Sequence, residues 1–150
     1  MPQITSAELV ERLMRSAHRL RRASMKSLAA LGLTPAQERM LRLVSRGEGA
    51  VRMGELAARM GIVPRSATSL VDALEGEGLV QRAIDPTNRR SILVTLTERG
   101  TRVQTDMAAA RTEAGEDLFA QLGAAERLLL AELLDKVAPP EPEVPRSSAG

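Results

Sequence analysis

The sequence predicts a mainly α-helical chain with one small β-hairpin wing: a winged helix-turn-helix with N- and C-terminal dimerisation helices. Three observations predict it. Apolar residues recur at three- and four-residue steps on both sides of a central segment, the spacing of helix faces. Within that segment, residues 52–100, two short helical patterns are separated only by Gly61, Ile62 and Val63. Two alternating apolar and polar stretches then follow, joined by Asp85-Pro86-Thr87-Asn88.

The elements follow in chain order. Residues 6–30 form a long helix, with Val10, Leu13, Ala17, Leu20, Ser24 and Leu28 on one stripe and Arg12, Arg15, Arg19, Arg22 and Lys26 largely off it. Leu31-Gly32-Leu33 breaks it. Thr34-Pro35-Ala36-Gln37 starts a second helix: Thr34 caps, Pro35 suits the first turn and Gln37 completes a capping box. That helix runs to about Ser45 and buries Met40, Leu41 and Val44. Ala50-Val51-Arg52 reads as a short strand, Met53 to Met60 as a third helix, and residues 64–75 as a fourth, opened by Pro64 and closed by Gly76 and Gly78. Leu79 to Ile84 and Ser91 to Leu96 alternate as strands do. Thr97 caps a helix running to about Leu122, and Gly123 separates it from a last helix, 124–137. The remaining Pro-rich, charged residues have a disordered composition. The expected organisation is an N-terminal dimerisation helix (1–34), a winged helix-turn-helix DNA-binding domain (35–100), C-terminal dimerisation helices (101–137) and a disordered tail (138–150).

Composition excludes several functions. There is no Cys and a single His, His18, so thiolate metal sites, thiol redox sensing and His-cluster metal sites are not expected. No apolar run approaches ~18 residues, so no membrane span is expected. The N-terminus lacks a signal core, so the expected location is cytoplasmic. No catalytic triad, carboxylate pair in a Gly-rich setting or phosphate loop is present, so neither an enzyme nor a cofactor is expected. Formal charge is uneven: +4 over residues 1–34, +2 over 35–100 and −4 over 101–150. Arg outnumbers Lys 19 to 2, a bias that coding composition alone can produce, so the placement of the Arg residues carries more than their number.

Placement points to double-stranded DNA. A helix-turn-helix needs a turn residue that accepts positive φ, supplied by Gly61. It also needs a small residue where the helices cross, supplied by Ala57. With Leu56, Ile62, Leu70, Val71 and Leu74 inward, the start of the second helix presents Arg65, Ser66, Thr68, Ser69 and Asp72 outward. All but Asp72 are donors to phosphates or base edges, and a helix N-terminus favours phosphate. On the hairpin, Arg82 lies on the first strand and Arg89 and Arg90 at or just after the tip. Arg on a narrow hairpin suits the minor groove. Asp85 and Asn88 are placed to fix the turn and orient a guanidinium.

These residues resemble the MarR family of bacterial transcriptional regulators. The resemblance covers roughly residues 8–137 and is densest in ELAARMGIVPRSATSLVDALEGEGLVQRAIDPTNRRSILVTLTERG. Its most specific part is the wing: Arg82, then Asp85-Pro86, then Arg89-Arg90, then a strand into Leu96-Thr97-Glu98-Arg99-Gly100. The resemblance implies a homodimer on a pseudo-palindromic operator, usually a repressor. It also implies a possible effector, a small and often aromatic anion held between the dimer helices and the DNA-binding lobe. It assigns Arg90 to the minor groove. Two positions depart from the family pattern: Asn88 stands where Asp usually pairs with that Arg, and Ser69 where Arg often follows the recognition-helix Thr. Arg65, one turn earlier, is the candidate replacement charge.

The flanks support the dimer. Val103, Met107, Ala110, Ala114 and Leu118 mark one face of the long C-terminal helix, and Leu129, Leu130, Leu133, Leu134 and Val137 dominate the last. These stripes exceed what a small winged-helix core needs. For the effector, Arg15, Arg19 and Met40 are candidate neighbours of the pocket, while His18 reads as an ordinary helix residue. The competing function is a winged-helix protein-interaction module without DNA binding.

Overall fold

A computed structural model of the chain describes residues 3–47 and 49–138. The tail expected to be disordered lies, beyond Ala138, outside the described residues. The order is α1 (Ser6–Leu31), α2 (Pro35–Arg46), β1 (Val51–Arg52), α3 (Met53–Met60), α4 (Pro64–Gly76), β2 (Val80–Asp85), β3 (Asn88–Leu96), α5 (Glu98–Phe119) and α6 (Ala124–Val137). The three strands form one antiparallel sheet in the order β1-β3-β2. Among the described residues, no helix is long and apolar enough to cross a membrane.

Local signals act where the sequence places them. Thr34 Oγ1 accepts the Gln37 N–H at 3.2 Å, and Gln37 Oε1 accepts the Thr34 N–H at 2.8 Å, so the capping box of α2 is complete. Gly61 adopts φ +67° and closes α3, its N–H and that of Ile62 returning to the Ala58 and Ala57 carbonyls. A side chain with a Cβ would be strained in that left-handed conformation.

The core lies where α2, α3 and α4 meet the sheet. Met40, Leu41, Leu56, Ala67, Val71, Leu74 and Val94 are fully buried there. On α4 the inward residues Ala67, Val71 and Leu74 recur at helical spacing, which leaves the opposite face outward. Helix α5 leaves the sheet and packs on α1 through the buried Leu28, Met107 and Ala114. Where α5 begins, its backbone touches the start of the wing: a Cβ on Gly100 would overlap the Leu79 carbonyl oxygen.

Two expectations need correction. The second wing strand begins at Asn88, not Ser91, and the turn contracts to Pro86-Thr87. Asp85 is the cause. Its Oδ1 accepts the Thr87 N–H at 2.9 Å and the Thr87 hydroxyl at 2.7 Å, closing the connection in two residues. The expected alternation of buried and exposed residues also fails on β2, where only Val80 and Asp85 are buried. β2 is the edge strand of the sheet, so most of its side chains stay open even where its partner β3 is buried, at Val94 opposite Arg82, and Ile84 is exposed.

Candidate nucleic-acid interface

On α4, Arg65, Ser66, Thr68, Ser69 and Asp72 are all exposed, as the inward spacing of Ala67, Val71 and Leu74 requires. The N-cap is Val63, which offers no side-chain acceptor, and Pro64 occupies the first turn. The positive end of the helix is therefore available to an external anion. Two hydroxyls are already engaged: Thr68 donates to the Pro64 carbonyl at 3.0 Å and Ser69 to the Arg65 carbonyl at 3.1 Å. In this arrangement their oxygens accept outward, and donation to DNA requires rotation away from the helix.

Arg82 has an internal role that its position on the strand did not reveal. Its guanidinium reaches back to the recognition helix, 2.7 Å from Asp72 Oδ1 and 2.7 Å from Glu75 Oε2, and its backbone N–H donates to Glu75 Oε1 at 3.1 Å. These hydrogen bonds hold the Glu75 carboxyl below its ordinary range and raise the Arg82 guanidinium above its own. The clamp fastens the wing to α4 and offsets part of the negative charge of two carboxylates that would otherwise repel phosphate. Arg82→Ala is expected to weaken operator binding several-fold, and adding Asp72→Asn and Glu75→Gln to restore most of it, in a fluorescence-anisotropy titration. If Arg82 instead contacts DNA directly, the added changes will not restore affinity.

Asp85 does fix the turn, but the guanidinium it holds is that of Arg52, not of Arg89 or Arg90. Arg52 Nε donates to Asp85 Oδ2 at 2.9 Å, across 33 residues of chain. Asp85 is buried, and the hydroxyl and N–H of Thr87, helped by Arg52, hold its carboxyl down at about 2. Arg52 is thus a site-supporting residue that the sequence reading missed. Its single sequence signal was its place on β1, and that says nothing about which distant carboxylate it meets. Asn88 likewise bonds no guanidinium among the described residues: its Oδ1 accepts the Arg90 backbone N–H at 3.2 Å.

The register explains how the wing arginines are displayed. Ile84 faces Ile92, yet Asp85 faces Asn88, so residues 89–91 have no Cα partner on β2. Such a bulge bends the strand and re-aims its side chains. Arg89 and Arg90 are both exposed, and neither they nor Arg65 make an ion pair among the described residues.

A second feature lies between the DNA-binding lobe and the long helices. A cleft of about 510 Å³ opens between α1, α2 and α5, walled by Leu20, Leu28, Met107 and Phe119 and edged by Arg42 and Arg111. Of the residues expected near a pocket, Arg19 borders a smaller neighbouring cleft, Met40 is fully buried in the core, and Arg15 is exposed. His18 is exposed and lines neither cleft. No group of three or more His, Cys, Asp or Glu residues is placed to hold a metal among the described residues.

The sequence profile of the MarR family matches residues 31–91. A transcriptional regulatory protein for the hcr operon of Thauera aromatica is 30% identical over 114 residues, covering 76% of this chain and 68% of that protein. The HTH-type transcriptional repressor MdtR of Bacillus subtilis is 29% identical over 114 residues, covering 76% of this chain and 73% of MdtR. Among solved structures, RV1404 from Mycobacterium tuberculosis aligns with a TM-score of 0.81 at 27% identity, over 95% of this chain and 99% of that one. A mutant MarR from E. coli complexed with operator DNA aligns with a TM-score of 0.72 at 26% identity, over 87% of this chain and 94% of that one.

Proposed function

Since this chain belongs to the MarR family, whose members are transcriptional regulators rather than enzymes, we propose that it represses transcription as a homodimer on a pseudo-palindromic operator. Arg65, Ser66, Thr68 and Ser69 enter the major groove, Arg89 and Arg90 flank the minor groove, and a small anion in the α1–α2–α5 cleft releases the DNA. Arg82, Asp85 and Asn88 hold the wing in position for this.

One observation carries the reading. The carboxylates of α4 and of the wing strands are held in internal ion pairs, Asp72 and Glu75 with Arg82 and Asp85 with Arg52, while Arg65, Arg89 and Arg90 are left without ion pairs among the described residues. The unpaired charges of α4 and of the wing strands, among the described residues, are therefore cationic and outward. That a MarR of similar fold is solved in complex with operator DNA supports DNA as the partner.

The dimer is supported by apolar residues that the monomer leaves uncovered: Leu9, Val10, Leu13 and Met14 on α1, and Leu128, Leu129, Leu133 and Val137 on α6. With α1 and α6 both presenting apolar residues outward, a second copy is the simplest cover. Two recognition helices would then read major grooves about 34–36 Å apart.

The test is a gel-shift titration with DNA from the chain's own promoter. Affinity is expected to fall steeply with salt, because a dimer would release roughly 6–10 counterions. Arg90→Ala is expected to cost about 1–3 kcal/mol of operator binding while the dimer persists. Unchanged affinity would remove Arg90 from the interface. An absence of salt-sensitive binding to any duplex would favour a protein-interaction module.

A further inference from the structure

The cleft between α1, α2 and α5 has an unusual charge balance. Arg21, Arg39, Arg42 and Arg111 line it with a single carboxylate, Glu38. Two of these guanidinium groups converge on one atom: Glu38 Oε1 is 2.7 Å from Arg111 Nη1 and 3.4 Å from Arg42 Nη1. Partial burial holds Arg42 below the ordinary guanidinium value, and Arg111, Arg46 and Arg39 push the same way against Glu38. One carboxylate is thus shared among cations that repel one another, and an added anion would relieve them.

The rest of the lining decides the ligand's other half. Leu20, Met25, Leu28, Met107 and Ala110 are aliphatic or thioether walls, and Phe119 is the one aromatic residue of the whole chain. A bound aromatic ring gains from offset stacking on other rings, and this cleft offers a single partner. A flexible hydrocarbon needs only apolar area, and a volume of about 510 Å³ lies in the range of small-molecule sites.

We propose that the cleft takes an amphipathic aliphatic carboxylate, of the chemistry of a medium-chain fatty acid, whose head displaces Glu38 from Arg42 and Arg111 while its chain lies along Leu20, Leu28 and Met107. This rests on the regulator reading above and names the ligand class for it. The route to DNA runs through α2. Glu38 ties α2 to α5, across 73 residues of chain. Its neighbour Arg39 donates to the Arg59 carbonyl at 3.3 Å and the Met60 carbonyl at 3.5 Å, at the end of α3 just before the Gly61 turn. Displacing Glu38 exchanges this direct α2–α5 ion pair for one through the ligand head, and Arg39 carries the resulting shift of α2 to the helix-turn-helix.

The experiment is calorimetric titration of the full chain with decanoate, decanol and benzoate, each below its aggregation concentration. Decanoate is expected to bind at least about tenfold more tightly than either, the scale of a charge-assisted hydrogen bond for the neutral alcohol. Arg111→Gln should weaken decanoate by about tenfold. Glu38→Gln should strengthen it, a gain that misfolding cannot imitate. Equal binding of decanol, tighter binding of benzoate, no binding of decanoate, or weakened binding in Glu38→Gln would each overturn the proposal. Operator affinity, followed by anisotropy, separates the two readings. If decanoate binds as expected and operator affinity is unchanged, the ligand class stands and effector release fails. If benzoate releases the operator and decanoate does not bind, release stands and the ligand class fails.

Discussion

Leu129→Glu combined with Leu133→Glu is expected to give a folded monomer whose operator affinity is lower by about three orders of magnitude or more, because each half-site would be bound alone and specific binding commonly spans that range. The reason is the position of α6. No residue of α6 is buried within the chain, and Leu129 and Leu133 are 55% and 48% exposed. Their loss therefore costs the monomer little. In a dimer each Leu would contribute about 1.5–3 kcal/mol when fully covered, and two protomers would each lose two. Four carboxylates would then meet across the same face. Helix α6 keeps its anchor to α5, since Arg127 pairs with Glu116 at 2.8 Å and donates to the Phe119 and Leu122 carbonyls at 3.2 Å. Sedimentation equilibrium reads the mass, and circular dichroism reads whether the fold persists. A double variant that stays dimeric with unchanged operator affinity would exclude α6 as the dimer face.

Gly100→Ala is expected to lower stability by about 1–3 kcal/mol, the cost of overpacking a closed contact. The added Cβ would meet the Leu79 carbonyl oxygen. That carbonyl cannot readily move, because it accepts the Thr97 N–H at 3.1 Å, while Thr97 Oγ1 donates to the Gly78 carbonyl at 2.6 Å and accepts the Gly100 N–H at 3.0 Å. The change therefore strains the joint between wing and α5, and operator affinity should fall with stability. Gly76→Ala is the control. A Cβ there meets nothing within 4 Å and lies in a helix, so it should be neutral or stabilising by about 0.5–1 kcal/mol. Urea denaturation of both variants checks the pair. Equal stability of the two would mean that the Leu79 contact is not tight in solution.

Gly100 also separates what a local pattern specifies from what packing adds. The Leu-Thr-x-x-Gly pattern was visible as a family feature, and its physical reason appeared only when α5 was seen pressed on Leu79. The wing is similar. Asp85 was expected to order the turn, and it does, with Thr87. The choice of guanidinium was missed because Arg52, Arg89 and Arg90 are indistinguishable as charges, and only the β1–β3 pairing brings Arg52 to the carboxylate. An Arg on a wing strand, as Arg82 is, suggests a DNA contact. Its capture by Asp72 and Glu75 depends on how closely the hairpin folds back on α4.

By itself the sequence determined the helices, their ends and the order of the winged helix. Those are decided by signals within a few residues: periodic apolar side chains, the Thr34–Gln37 box, Pro64 and Gly61. It also determined which face of α4 is outward, since buried Ala67, Val71 and Leu74 leave the rest exposed. Only the tertiary structure decided the partners of the charges, the bulge that displays Arg89 and Arg90, and the cleft where Glu38 meets Arg111. Such contacts join residues as far as 73 positions apart. Coulomb attraction has no sequence periodicity, so packing alone selects which of many Arg residues meets each carboxylate.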